Sequence, residues 1–327
     1  MTLKIPSNRT IFGEFEHAYL SVLLPYLEER ESKRRLVISK FGVILVITAV
    51  AALALVFFGP FGEGNYQAAM FSAIAGVGSA FFLLNRTRRE ISDGLLGRIA
   101  DVFGFAYQND IQVPEYVPAF QGFKILPHYH KGDYEDEVSG IYNGVTFSFC
   151  EAHLRRRSSG KNRSYRTVFH GQIFVIDYEK KFLGKTVLQR DAGILNRLGK
   201  PGREFQQVGL ASPAFEKVFE AWSTDQVEAR EILDPIVLER FEELERLFKG
   251  GQLSAAFSGG QVMISLHVGD KLNMGSMFTP LTTPDRVEKI LEEFDLVFDL
   301  IDVLTKQTDG KMSGAYSIDE VRTRSLS

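Results

Sequence analysis

Apolar residues are spread unevenly along the chain, and two unbroken runs dominate the pattern. From Phe41 to Phe58 the sequence reads FGVILVITAVAALALVFF without a charged residue, and Gly59-Pro60-Phe61-Gly62-Glu63-Gly64-Asn65 follows as a turn. From Tyr66 to Leu84, YQAAMFSAIAGVGSAFFLL is again uncharged. At about 1.5 Å per residue, each run is long enough to cross roughly 30 Å of hydrocarbon. One Lys or Arg at a span centre costs about 2.5–3.5 kcal/mol, against about 0.3–0.6 gained by each Leu, Ile, Phe or Val, so the lack of charge decides the reading. The pattern predicts a transmembrane helical hairpin over residues 41–85, with spans at 41–61 and 66–84.

The flanks orient it. Arg30, Lys33, Arg34, Arg35 and Lys40 precede the first span, Arg86, Arg88, Arg89 and Arg98 follow the second, and the connecting loop has no Lys or Arg. Both termini are therefore expected in the cytoplasm of a bacterium, with the chain a multi-pass protein of the inner membrane and the lipid bilayer its first partner. A hairpin buried in a soluble core is the competing explanation. Ser72, Gly76 and Ala80 recur every four residues on one face of the second span, and Thr48 and Ala52 could face them. This stripe is expected to pack the hairpin on itself.

Before the spans, Phe12, Phe15, Tyr19, Val22, Leu23, Tyr26 and Leu27 fall three and four apart, which predicts an amphipathic helix within residues 1–40, with a break near Pro25. Its apolar face suits either the soluble domain or a lipid surface. After the spans, Ile91, Leu95, Leu96, Ile99 and Phe103 extend the second helix outward. From there to residue 305 a cytoplasmic α+β domain with mainly antiparallel strands is expected. Strands are predicted at Gly122–Leu126, Gly144–Leu154, Thr167–Tyr178, from Lys185, and at Pro213–Trp222. QLSAAFS and QVMISLHV flank Gly259-Gly260 as a hairpin. Helices are predicted after Asp225, after Asp234-Pro235 and after Pro284-Asp285. Alternation of Val145, Phe147 and Phe149 predicts one buried sheet face. Residues 306–327 read as a disordered polar tail.

Overall composition changes little. The 327 residues are 45% hydrophobic and 24% charged with a net charge of -3, which argues against nucleic acid as a partner. A single cysteine, Cys150, excludes an intramolecular disulfide framework, and the first 25 residues lack a cleavable signal pattern.

Candidate chemistry is sparse. His128, His130, Cys150 and His153 could supply a tetrahedral zinc set, but on one strand Cys150 and His153 would point to opposite faces, so satisfied or exposed histidines are the expected finding. Arg155, Arg156, Arg157, Lys161, Arg163 and Arg166 make a basic loop between two strands. Near a membrane each would contribute about 1 kcal/mol of attraction to anionic headgroups; a solvated hairpin tip is the plainer reading. Asp133, Glu135, Asp136 and Glu137 read as a solvated acidic turn able to pair with that loop. Glu216, Glu220, Asp225, Glu228 and Glu231 read as charged surface, and Trp222 as core. No cofactor is implied, since phosphate loops, nucleophile elbows and metalloprotease motifs are all missing.

The blocks GxxFSFxEAxL (Gly144 to Leu154), VFHGQIFVIDYEKKFLGKT (Val168 to Thr186) and FEKVFEAWSTDQVEAREILDPIVLERF (Phe215 to Phe241) stand behind an amphipathic helix and a two-span hairpin. This succession, over roughly residues 10 to 305, resembles an uncharacterised bacterial family catalogued as domain of unknown function 3137. The resemblance implies no activity, cofactor or catalytic residue, and suggests at most a LemA-type membrane protein as partner. A membrane-anchored, non-enzymatic scaffold or interaction module is the expected function. An enzyme of unrecognised type acting on a membrane-proximal substrate is the alternative.

Overall fold

The two apolar runs form parts of two much longer helices. The computed structural model describes residues 3–158, 164–190, 201–210, 213–248, 252–269, 272 and 274–305. A short helix α1 (Phe15–Ala18) passes through a π-helical turn at Tyr19–Leu23 into α2 (Leu24–Phe58). Pro25 brings no N–H and its ring crowds the carbonyl four residues back, and the wider π turn before it absorbs that misfit. After a turn at Gly62–Gly64, α3 (Asn65–Phe103) returns antiparallel to α2 and ends at Gly104 in a left-handed cap.

Two close approaches hold the pair together. A Cβ added at Gly76 would overlap the Thr48 side chain, and one added at Gly94 would overlap the Tyr26 hydroxyl. Only glycine lets the backbones come this near. Ala80 is fully buried beside the first contact, so the small-residue stripe read from the sequence packs within the hairpin. At the second contact, the Tyr26 hydroxyl donates to the Ile91 carbonyl at 3.2 Å and the Arg98 guanidinium lies over the Tyr26 ring at 4.0 Å.

The rest of the chain builds an antiparallel sheet. Its strands are β1 (Ala106–Gln108), β2 (Lys131–Tyr142), β3 (Val145–Arg157), β4 (Tyr165–Arg190), β5 (Gln206–Val208), β6 (Phe219–Ser223) and β7 (Gln252–His267), with α4 (Val117–Gly122) between β1 and β2. The order is β1-β2-β3-β4-β6-β5, and β7 lies along β4. Short α5 (Pro213–Glu216) precedes β6, then α6 (Gln226–Ile232), α7 (Pro235–Leu247) and, after β7, α8 (Asp285–Thr305). Asp225 caps α6 by accepting from the Val227 and Glu228 amides, and Asp234 accepts from Val237 at the start of α7, as the sequence predicts.

Four expectations are corrected. Gly122–Leu126 closes α4 and turns, forming no strand. Pro213–Trp222 is a strand only from Phe219. Gly259-Gly260 is a bend inside one continuous β7, with Gly259 at φ +63, and β4 bends opposite it through register shifts between Asp177 and Lys185. Both faces of the sheet are buried, because successive residues of β3 and β4 feed two cores. Phe147, Phe149, Phe174 and Ile176 meet the helices, whereas Cys150, Ala152, Leu154 and Ile173 meet α4 and the segment around Ile125.

The helical core takes in Tyr19, Leu23, Leu27, Ile91, Leu95, Ile99 and Phe103 together with Phe294 and Phe298 of α8. The amphipathic N-terminal segment therefore packs on the domain. Each fully buried Leu or Ile here is worth about 1.5–3 kcal/mol. The polar halves of α2 and α3 are built into the domain, and their apolar halves run out of it uncovered, with Phe57 72% and Phe58 87% exposed.

Candidate functional site at the root of the apolar hairpin

Where the apolar halves emerge, three charged side chains pin a loop to the helices. Glu31 accepts from Arg34 in a two-pronged pair, Nε to Oε2 at 2.8 Å and Nη2 to Oε1 at 2.7 Å, and also from Arg35 Nε at 3.0 Å. Its Oε2 accepts the Leu281 amide at 2.9 Å, and Arg34 Nη1 donates to the Met277 carbonyl at 2.7 Å. Glu31 and Arg34 are both buried. The Arg34 pairing, aided by the Leu281 amide and Arg35 against the opposing cost of burial, holds the Glu31 carboxyl down at about 2. Arg286, in the first turn of α8, is also buried and donates to the carbonyls of Met274, Ser276, Thr279 and Pro280. Beyond this clamp, Phe41 packs edge-to-face on Phe81 with ring centroids 5.3 Å apart, and on Phe278 of the loop at 6.0 Å.

The basic loop is carried by β3 and β4. Phe105 meets both Phe298 and Phe147, Phe149 meets Phe294, and Glu151 accepts the amide of Leu272. From Phe147 onward β3 thus runs from the Phe298 end of α8 toward the end where the Phe278 loop lies. At its tip Arg156 stands directly across from Arg166, and Arg157 across from Tyr165. Like charges placed opposite one another repel, so this pairing leaves positive potential for an anion to offset. Arg157 and Arg166 are exposed. Arg155 is different, since it is half-buried and paired with Asp133. Lys161 and Arg163 lie outside the described residues, as does the tail from 306.

The acidic run is a correction, because it belongs to β2 and not to a turn. A bulge with Asp136 at φ +56 shifts the register between Glu135 and Val138, so Tyr134 serves one core and Val138 the other. Asp136 accepts from the Tyr107 hydroxyl at 2.6 Å, and Glu137 from Ser148 at 3.2 Å.

The four zinc-competent residues do not converge, and among the described residues no three His, Cys, Asp or Glu side chains are grouped to hold a metal ion. Cys150 is fully buried, and burial pushes its thiol up to about 12. His153 bonds Thr167 at 2.8 Å and stacks on His170 at 4.5 Å, while the His128 and His130 rings pack edge-on at 5.1 Å. One carboxylate read as surface is structural: Glu228 is buried and accepts the Leu183 and Gly184 amides at 2.8 and 2.7 Å, whereas Glu216 is exposed as expected and accepts the Leu210 amide.

Residues 167–306 match the family model described as "Protein of unknown function (DUF3137)". The resemblance to DUF3137 holds over that segment. It begins inside β4 and runs through α8, so the hairpin and β1 to β3 precede the DUF3137 match. No curated protein matches the chain. Among solved structures, the crystal structure of the mycobacterial trehalose monomycolate transport factor A, TtfA, is similar at 10% identity and a TM-score of 0.37, covering 65% of this chain and 94% of that one. Nothing is carried over from a likeness that loose.

A further polar cluster draws its members from opposite ends of the chain. Buried Arg9 lies among Asp295, Asp299 and Asp302 of α8 and donates to the Tyr142 hydroxyl at 2.8 Å, while Ser7 bonds Asp295 at 2.7 Å. Burial alone would lower the Arg9 pKa, but the neighbouring carboxylates raise it overall. The depression beside it, about 380 Å³, is lined by Asn8, Tyr142, Asn143 and Asp302, and Asn143 donates to Asp302 at 3.1 Å. This cluster was not picked out from the sequence: Asp295 and Asp302 stand one heptad apart on α8, but their cation comes from 286 residues away.

Proposed function

We propose that the hairpin crosses a bilayer and that the chain is a membrane-anchored, non-enzymatic interaction module whose α+β domain is held on the cytoplasmic face. The observation that carries this reading is the division within α2 and α3. Each helix builds the domain core at one end and leaves a charge-free apolar surface uncovered at the other, and uncovered apolar surface on this scale calls for a partner. Lys and Arg flank both runs and are absent between them, which supports the cytoplasmic side for the domain. Because the helices pass unbroken from one environment to the other, the domain cannot swing freely on a linker.

In this reading the bilayer is the principal partner, and the Arg156, Arg157 and Arg166 tip is drawn to anionic headgroups. The test reconstitutes the full chain in nanodiscs of neutral or partly anionic lipid and follows amide exchange over residues 155–166. Protection in anionic discs at low salt, lost at moderate salt and lost when Arg156, Arg157 and Arg166 are replaced by Glu, is the expected result. Equal exchange in both lipids would leave the tip a solvated hairpin and turn the search toward a protein partner.

A further inference from the structure

We propose that the loop from Met274 to Pro284, led by Phe278, is a third point of bilayer insertion beside the two helices. The inference rests on the reading that the hairpin crosses a membrane. Four observations carry it.

The loop reads MGSMFTPLTTP, without a charged residue, although Asp270, Lys271, Asp285 and Arg286 stand just outside it. Entry of this segment into the interface therefore desolvates no charge. Phe278 is 60% exposed at its tip, while its neighbours Met277 and Leu281 are buried in the domain core. An aromatic ring held largely exposed by a buried frame is placed to meet something apolar. The third observation fixes the depth: the Phe278 ring packs against Phe41, where the first apolar run begins, and Phe41 packs on Phe81 near the end of the second. If the runs span, Phe278 sits at the hydrocarbon boundary, where aromatic side chains are favoured.

The fourth observation concerns the backbone. Irregular chain enters a bilayer only where its polar groups are satisfied from within. Here Arg286 serves the carbonyls of Met274, Ser276, Thr279 and Pro280, Arg34 serves Met277, and Glu31 takes the Leu281 amide. The Phe278 amide donates to Ser276 Oγ at 3.1 Å. These bonds satisfy from within the carbonyls of Met274, Ser276, Met277, Thr279 and Pro280 and the amides of Phe278 and Leu281, and they explain why an arginine occupies the first turn of α8, where the helix dipole disfavours a cation. Two helices alone let the whole molecule, hairpin and domain together, tilt in the bilayer about the line joining them. A third contact beside them fixes its inclination and holds the Arg156–Arg166 tip at a constant distance from the headgroups.

Trp222 is the single tryptophan, and its indole N–H has no hydrogen-bond partner among the described residues, so Trp222→Phe gives a mild silent background. In that background Phe278→Trp and, separately, Val50→Trp at mid-span are reconstituted as full chains in vesicles with bromine near the headgroup end or the methyl end of the acyl chains. The expected result is blue-shifted Phe278→Trp emission quenched best by shallow bromine, and Val50→Trp quenched best by deep bromine. Red-shifted, unquenched emission at 278 with quenching at 50 overturns the loop insertion and leaves the spanning hairpin standing. Blue-shifted emission at 278 without quenching means that protein covers the ring, and also overturns it. No quenching at either position overturns both readings.

Discussion

Replacing Glu31 by Gln tests the clamp with the least change in shape. The amide oxygen can still accept from the Leu281 amide, but the charge that binds Arg34 in two prongs is gone, and Arg34 is left buried against a neutral partner. Breaking one side of a buried ion pair costs about 3–5 kcal/mol. The carboxyl pKa, lowered mainly by the same Arg34 pairing, points to a similar size: a drop from 4.5 to about 2 is worth about 3 kcal/mol at 1.36 kcal/mol per pH unit. The sign follows from the lowered folded-state pKa. This stability is fully present above about pH 4.5 and is lost as pH falls from there through about 2. Urea unfolding of the full chain in micelles, followed by near-ultraviolet circular dichroism, is expected to show Glu31→Gln less stable by about 3 kcal/mol at pH 7. The wild type should converge on the variant as the pH is lowered through that window. Because Glu31 and Arg34 hold Met277 and Leu281, proteolysis of the Phe278 loop should accelerate in step. A difference under about 0.5 kcal/mol at pH 7, or a gap that does not close in acid, would refute the reasoning.

Other outcomes follow from single contacts. Gly76→Leu drives a branched side chain into Thr48, and overpacking of this kind costs about 1–3 kcal/mol; it should lower the melting temperature in micelles, while Gly78→Leu, with open space around its Cβ position, should not. Arg9→Met removes the cation set among Asp295, Asp299 and Asp302 and should cost about 3–5 kcal/mol. Amide exchange at Lys4, which donates to Glu288 at 2.8 Å, should rise in that variant and stay unchanged in Gly76→Leu.

How much of this was legible in the sequence varied with the distance over which each signal acts. Caps and helix starts at Asp225, Asp234 and Pro284-Asp285 are local hydrogen-bond chemistry, and they are where the sequence puts them. The α2–α3 contact at Thr48 and Gly76 was also legible, because the two helices are tethered by a short turn. Strand β2 was hidden by its charges: Asp133 to Glu137 looks like a turn, yet the bulge at Asp136 and pairing to Arg155, Tyr107 and Ser148 make it a strand. Gly259-Gly260 carries a hairpin signature but bends a strand whose pairing with β4 lies on both sides of the bend. The second core behind Cys150 was missed because the neighbours Phe149 and Cys150, and likewise Ile173 and Phe174, are both apolar, so polarity marks neither face as wet. The clamp was half visible in the ESKRR spacing of Glu31, Arg34 and Arg35. Its other half is the loop backbone, with the Met277 carbonyl 243 residues from Arg34, and it carries no side-chain signature.

Central to the proposed function is a hairpin that crosses a bilayer with the domain on one side. Cys150 makes this directly testable, since its buried thiol, pushed up to about 12, is silent toward a charged maleimide and leaves single introduced cysteines to report alone. In sealed vesicles of known orientation, Phe61→Cys in the hairpin turn and Tyr165→Cys beside the basic tip are both on exposed positions. The account predicts that an impermeant maleimide labels Tyr165→Cys only from the cytoplasmic face and Phe61→Cys only from the opposite face. Labelling of both from the same face of an intact vesicle would contradict it.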